Sequence, residues 1–261
     1  MNLRALKWPA RSTICAWATA LLFAFALKRF YSAAGAESLE FVLAPTTALT
    51  GLLLQVPFSF QPGEGYLSRE ASILIAPACA GLNFWIIAFV SMTLGFAGRF
   101  GGARRTALAW FAGLALSFTL TVLVNALRIA VSVALAHRVA REFGLSFQDV
   151  HRWIGVVLYL SALVGTMLTL DWWTTRKTAR GLTSTGVAVA LACYLAVTLL
   201  VPWLRGASGA DWSAHARPVL FASALAAALL TTAAWARAAR NRQTSPKLLF
   251  WPRARTDRAT S

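Results

Sequence analysis

The chain is built from apolar runs close to twenty residues long, separated by short clusters of arginine and lysine, and this alternation is the tightest constraint on its fold. About 20 apolar residues in a helix cross ~30 Å of hydrocarbon, and only a helix or a closed barrel satisfies its backbone there. Such runs extend from about Ser12 to Leu27, Pro77 to Ala97, Thr106 to Leu127, His151 to Leu170, Ser184 to Leu204 and Pro218 to Trp235. Apolar residues are 58% of the 261 and charged residues 13%, which leaves too few polar side chains to cover a water-facing surface. A water-soluble enzyme is thereby excluded, and so is a disordered chain. The expected fold is an all-α polytopic integral membrane bundle of about six to eight transmembrane helices, forming a single membrane domain over residues 1–261.

The net charge of +16 would suggest nucleic acid in a soluble domain, but the placement of the charges argues for a membrane topology and against nucleic acid. With the N-terminus inside, inner segments hold Arg4, Lys7 and Arg11, then Arg99, Arg104 and Arg105, then Arg176, Lys177 and Arg180. The tail adds Arg237, Arg240, Arg242, Lys247, Arg253, Arg255 and Arg258, so 16 of the 25 cations lie inside. The first run ends in Leu27-Lys28-Arg29-Phe30 and not in a small-residue cleavage motif, so it reads as a retained helix. Leu39 to Val56 is apolar but carries Pro45 and precedes Pro57, Pro62, Gly63 and Gly65. A single crossing there would invert every later loop. The segment is expected to lie in the outer interface, re-enter, or form a crossing pair with Ser72 to Ala78. Trp172, Trp173, Trp203, Trp235 and Trp251 sit at span ends as an aromatic belt would.

Polar groups at span boundaries are where chemistry is sought first, because they are costly in hydrocarbon. Cys79 lies in Ala76-Pro77-Ala78-Cys79-Ala80-Gly81-Leu82-Asn83-Phe84, where Pro77 suits a first helical turn. A thiol beside the free N–H groups of such a turn is favoured as the nucleophilic thiolate, whereas the plainer alternative is a small packed hydrophobe. Cys15 and Cys193 lack polar neighbours and read as packing. Arg128 lies in Val124-Asn125-Ala126-Leu127-Arg128, 22 residues beyond Thr106, or ~33 Å along a helix at ~1.5 Å per residue. It therefore reaches the far hydrocarbon edge, with Asn125 on the same helix face. Its plainer role is to snorkel to headgroups. His151 opens the next span, with Asp149 as a helix cap and Gly155 one turn below to admit a neighbouring helix. Histidine serves as a general base near neutral pH, although an interfacial histidine is often merely solvated. His137 and His215 fall in outer loops. Cys79, Arg128 and His151 all map to one membrane face, supplying a nucleophile, an oxyanion stabiliser and a base for acyl transfer through a thioester.

The order Cys79, then Asn125-x-x-Arg128, then His151-x-x-x-Gly155 on successive membrane helices resembles the exosortase and archaeosortase family of membrane cysteine transpeptidases, and within it the short exosortase K-like branch. The resemblance covers roughly Leu39 to Leu170, the catalytic core it implies; helices over 184–236 and a basic cytoplasmic tail over 237–261 follow. It implies Cys79 as nucleophile, Arg128 as oxyanion or substrate stabiliser and His151 as acid/base, with Asn125 in support. One departure is Cys79-Ala80-Gly81 where the family more usually has Cys-Ser-Gly. The implied substrate is an exported protein with a C-terminal sorting signal, cleaved at the outer face of a bacterial cytoplasmic membrane and passed to a surface glycan or lipid acceptor or to water.

No cofactor or metal is expected, since the cysteines lack metal-ligand spacing. The main competing expectation is a non-enzymatic transporter or assembly factor for surface polymers, in which Arg128 binds an anion. A different membrane enzyme, an intramembrane protease or lipid acyltransferase, is a second; scarce acids in the spans disfavour an aspartyl or zinc protease.

Overall fold

The computed structural model describes residues 9–175 and 185–244. Eight α-helices run in chain order: α1 (Arg11–Tyr31), α2 (Glu40–Leu54), α3 (Leu82–Phe96), α4 (Ala103–Phe143), α5 (Phe147–Thr175), α6 (Thr185–Leu195), α7 (Val201–Leu204) and α8 (Gly209–Thr244). Among the described residues six segments are long and apolar enough to cross a membrane: Arg11–Tyr31, Pro77–Arg99, Ala103–Phe143, Phe147–Thr174, Thr185–Leu204 and Trp212–Ala233. The chain is an all-α, multi-pass membrane protein. The topology cations Arg4, Lys7, Arg176, Lys177, Arg180 and those beyond residue 244, with Trp251, lie outside the described residues. By contact the chain divides into two compact units, Met1–Ser223 and Ala224–Ser261. The first holds the sheet and every residue of the candidate site, and the described part of the second is helical to Thr244.

Burial shows which helix is central. The most apolar window of Pro77–Arg99 is 72% buried, against 17–28% in the other five spans. Those five turn Leu22, Phe25, Leu108 and Phe111, among others, outward as a lipid-facing surface requires. Around α3 the packing is aromatic. Phe23 of α1 meets Trp85, Phe89 and Trp110 edge-on at 5.9, 5.4 and 6.1 Å, and Trp85 donates its indole N–H to Ser117 Oγ of α4 at 3.1 Å. The indole thus contributes apolar area and still satisfies its polar atom inside the bundle.

Two regions depart from expectation. The span expected to stop at Leu127 continues as helix to Phe143, giving α4 41 residues and a length of ~60 Å, about twice the hydrocarbon thickness. His137 therefore sits on a helix and not in a loop. Nothing between Arg128 and Phe143 is a helix breaker; the break comes at Gly144, in the left-handed region at φ 64°. Ser146 then caps α5, its hydroxyl accepting from the Asp149 N–H at 3.0 Å and donating to Asp149 Oδ2 at 2.7 Å. The cap is Ser146, with Asp149 as its partner.

The second departure follows α2, which covers most of Leu39 to Val56. Its 15 residues span ~22 Å, short of a crossing. Ser72 to Ala78 does not pair with it. Ile73–Ile75 instead forms the third strand of an antiparallel sheet, β1 (Ser59–Gln61), β2 (Gly65–Ser68) and β3 (Ile73–Ile75), with Tyr66 opposite Ile75 and Ser59 opposite Leu67. Glu37, ahead of α2, ties down the β1–β2 turn by accepting the Gly63 N–H at 2.6 Å. Backbone N–H donors hold its carboxyl below the ordinary value. The sheet ends two residues before Cys79's own turn begins, so it delivers the chain to the site.

Candidate active site

Cys79 closes a single 3-10 turn, Pro77–Cys79, between β3 and α3. Its N–H is taken by the Ala76 carbonyl at 2.8 Å, and that of Ala80 by Pro77 at 3.0 Å. The first turn of the long helix, expected at Pro77, begins instead at Leu82. Gly81 is the reason: at φ 72° it sits in left-handed space that only glycine enters cheaply, and its carbonyl accepts the N–H groups of Phe84 and Trp85 at 2.9 and 3.2 Å. A second constraint fixes glycine there, because a Cβ on it would lie 3.1 Å from Asn125 Cγ.

That close approach lets Asn125 reach the Cys79 turn. Asn125 is fully buried, and its Nδ2 donates to the Cys79 carbonyl oxygen at 2.5 Å. Its Oδ1 accepts from the Tyr159 hydroxyl at 2.7 Å, while the Tyr159 ring stacks on Phe84 at 4.6 Å with 13° between planes. One turn along α4, Arg128 Nη2 contacts His151 Nε2 at 2.8 Å. Guanidinium nitrogens only donate, so Nε2 accepts and the imidazole is neutral, with its proton on Nδ1. The Arg128 guanidinium also lies over the Tyr159 ring, 5.5 Å from its centroid.

His151, Gly155 and Tyr159 recur every four residues and form one stripe of α5 against this face of α4. Gly155 admits the arginine: a Cβ there would lie 2.9 Å from Arg128 Nε, a buried atom without a hydrogen-bond partner.

A cavity of ≈ 350 Å³ opens on this stripe, walled by Asn83, Arg128, His151, Arg152, Tyr159 and His215 among others. Among the described residues its lining contains no carboxylate. His215, expected in an outer loop, is on α8 and belongs to this wall; Lys28 of α1 reaches its edge by donating to Asn83 Oδ1 at 2.8 Å. Ala78 and Gly81 contribute to the wall on either side of Cys79, whose own half-buried thiol does not line it and makes no hydrogen bond. The structure thus joins Arg128 to His151 directly and joins Cys79 to them through Asn125 and Tyr159, without a thiol–imidazole bond. His137 stands apart, stacked on Phe147 at 4.6 Å. Cys15 is exposed and Cys193 half-buried, neither in the cavity wall. Among the described residues no group of three or more His, Cys, Asp or Glu could hold a metal ion.

The sequence singles out Cys79, Asn125, Arg128 and His151 as candidates, and the structure adds Tyr159, Asn83, Arg152 and His215 beside them. The four-residue step from His151 through Gly155 pointed to Tyr159. Comparison with protein-family models, curated proteins and solved structures gave no match.

Proposed function

We propose that the protein is a membrane-embedded cysteine transpeptidase or peptidase that cleaves C-terminal sorting signals of exported proteins. The observation that carries this reading is the 2.8 Å Arg128–His151 contact in the same cavity wall as the Cys79 turn, which Asn125 holds by its carbonyl. In this reading the Cys79 sulfur attacks a peptide carbonyl, the C–S bond forms, and negative charge develops on the carbonyl oxygen. Arg128 faces a neutral imidazole and no carboxylate, so its donors are available to that oxygen. As the guanidinium turns to it, the Nε2 lone pair of His151 is released to take the thiol proton and return it to the leaving amine. An amine or hydroxyl of a surface glycan or lipid acceptor, or water, then resolves the thioester. The cation distribution supports a site on the outer face, and in this reading the membrane is a bacterial cytoplasmic one.

The test uses an exported reporter ending in a short motif, an apolar helix and a basic cluster, taken from a gene adjoining that of this protein. Cys79→Ala and Cys79→Ser both abolish its processing while leaving expression intact. Full processing by Cys79→Ala would overturn the reading, and the carboxylate-free cavity would then suit the anion site of a transporter or assembly factor.

A further inference from the structure

We infer that Tyr159 is a positioning residue for the nucleophile, acting through Asn125 and coupling the Cys79 turn to Arg128. The inference rests on the cysteine chemistry proposed above. Its basis is a chain of polar contacts with one consistent assignment of donors. The Cys79 carbonyl can only accept, so the Asn125 amide must present its NH₂ there, at 2.5 Å. Oδ1 then faces Tyr159, and at 2.7 Å the phenol must donate to it. The Arg128 guanidinium lies over the ring of the same tyrosine, 5.5 Å from its centroid. Tyr159 therefore joins both arms of the site, Asn125 with Cys79 and Arg128 with His151.

The alternative amide orientation shows why a hydroxyl is needed. A buried asparagine turned over would set Oδ1 against the Cys79 carbonyl, two acceptors facing each other, a repulsion that by itself favours the observed orientation. Without the phenol, Oδ1 of the fully buried Asn125 is an acceptor with no partner among the described residues, a loss that costs more than the bond itself contributes. The amide and the 3-10 turn carrying Cys79 then lose their common restraint. The ring is held separately by its stack on Phe84, so Tyr159→Phe removes the hydroxyl and keeps the packing.

The experiment uses the full chain in lipid nanodiscs with Cys15 and Cys193 changed to alanine, so that iodoacetamide reads Cys79 alone. Tyr159→Phe, Asn125→Ala and the double variant form a cycle; Asn125→Asp, which still accepts from Tyr159 but cannot donate to Cys79, replaces Asn125→Ala if that chain is not recovered folded. We expect Tyr159→Phe to fold, with a thermal midpoint lowered by the unsatisfied Asn125 acceptor, and to speed Cys79 alkylation on the order of 5-fold, the size of one net hydrogen bond. Reporter turnover falls about 10-fold in kcat with KM unchanged, as for a group that orients and does not bind. The double variant matches the Asn125 variant, because Tyr159 acts through it. Alkylation by Tyr159→Phe at the parent rate, or effects that multiply in the double variant, would overturn the inference. Failure of the cysteine reading is separately visible: reporter processing by Cys79→Ala would remove it, while the alkylation cycle still reports on the Tyr159–Asn125–Cys79 link.

Discussion

Two arginines lie at opposite ends of the same bundle and are treated in opposite ways. Arg99, after α3, meets Asp171 of α5 at 2.6 Å and donates to the Thr174 hydroxyl at 2.7 Å, and the Asp171 side chain is 2% exposed. Arg128 meets a neutral histidine and a tyrosine ring, and no carboxylate pairs with it among the described residues. The first charge is neutralised inside protein and clasps two helices. The second is left uncompensated beside a cavity, an arrangement that stability alone does not favour. Charge balance is what separates the two arginines.

Breaking the clasp gives the largest expected change in stability. Arg99→Ala removes the cation that lies 2.6 Å from a buried carboxylate and unclasps the two helices, read as a lowered thermal midpoint in detergent, while turnover per folded molecule stays at the parent level. Arg128→Lys has the converse signature. Lysine offers a point charge where a planar guanidinium directs two donors, so reporter turnover falls on the order of 100-fold with the thermal midpoint unchanged; His151→Ala is comparably harmful through loss of the base. If Arg128→Lys turns over like the parent, the residue anchors topology and the contrast with Arg99 collapses. Gly155→Ala gives the smallest effect and sharpens the comparison. A Cβ 2.9 Å from Arg128 Nε shifts the guanidinium by tenths of an ångström, costing roughly 10-fold in turnover, although alanine is the better helix former by ~0.5–1 kcal/mol. Activity and helix stability then move in opposite directions.

The six spans were legible because hydrocarbon thickness and backbone satisfaction leave a chain few choices. Cys79, Arg128 and His151 were legible because each is a costly residue type at a span boundary. What hydropathy could not report was anything set by a single backbone angle or by tertiary contact. The left-handed Gly81 moved the start of α3 past Cys79, and Gly144, with no apolar signal of its own, set the end of α4 sixteen residues beyond Leu127. The strands after α2 are three or four residues long, too short for an alternation to be read among Pro57, Pro62 and Gly63. Tyr159 sits in Val157-Leu158-Tyr159-Leu160 and looks like lipid-facing filler until Asn125 is placed opposite. His215 was assigned to a loop because the last span was started at Pro218, yet α8 carries that proline within the helix.

Whether Cys79 forms a covalent bond to substrate can be read by intact-protein mass spectrometry. The full chain in nanodiscs is mixed with the reporter and quenched in acid within one turnover. The account predicts an adduct equal in mass to the reporter's N-terminal portion, mapped to Cys79, released by hydroxylamine as a thioester is, and absent from Cys79→Ala. Reporter cleavage that proceeds in Cys79→Ala, or an adduct mapped to any other residue, would contradict it.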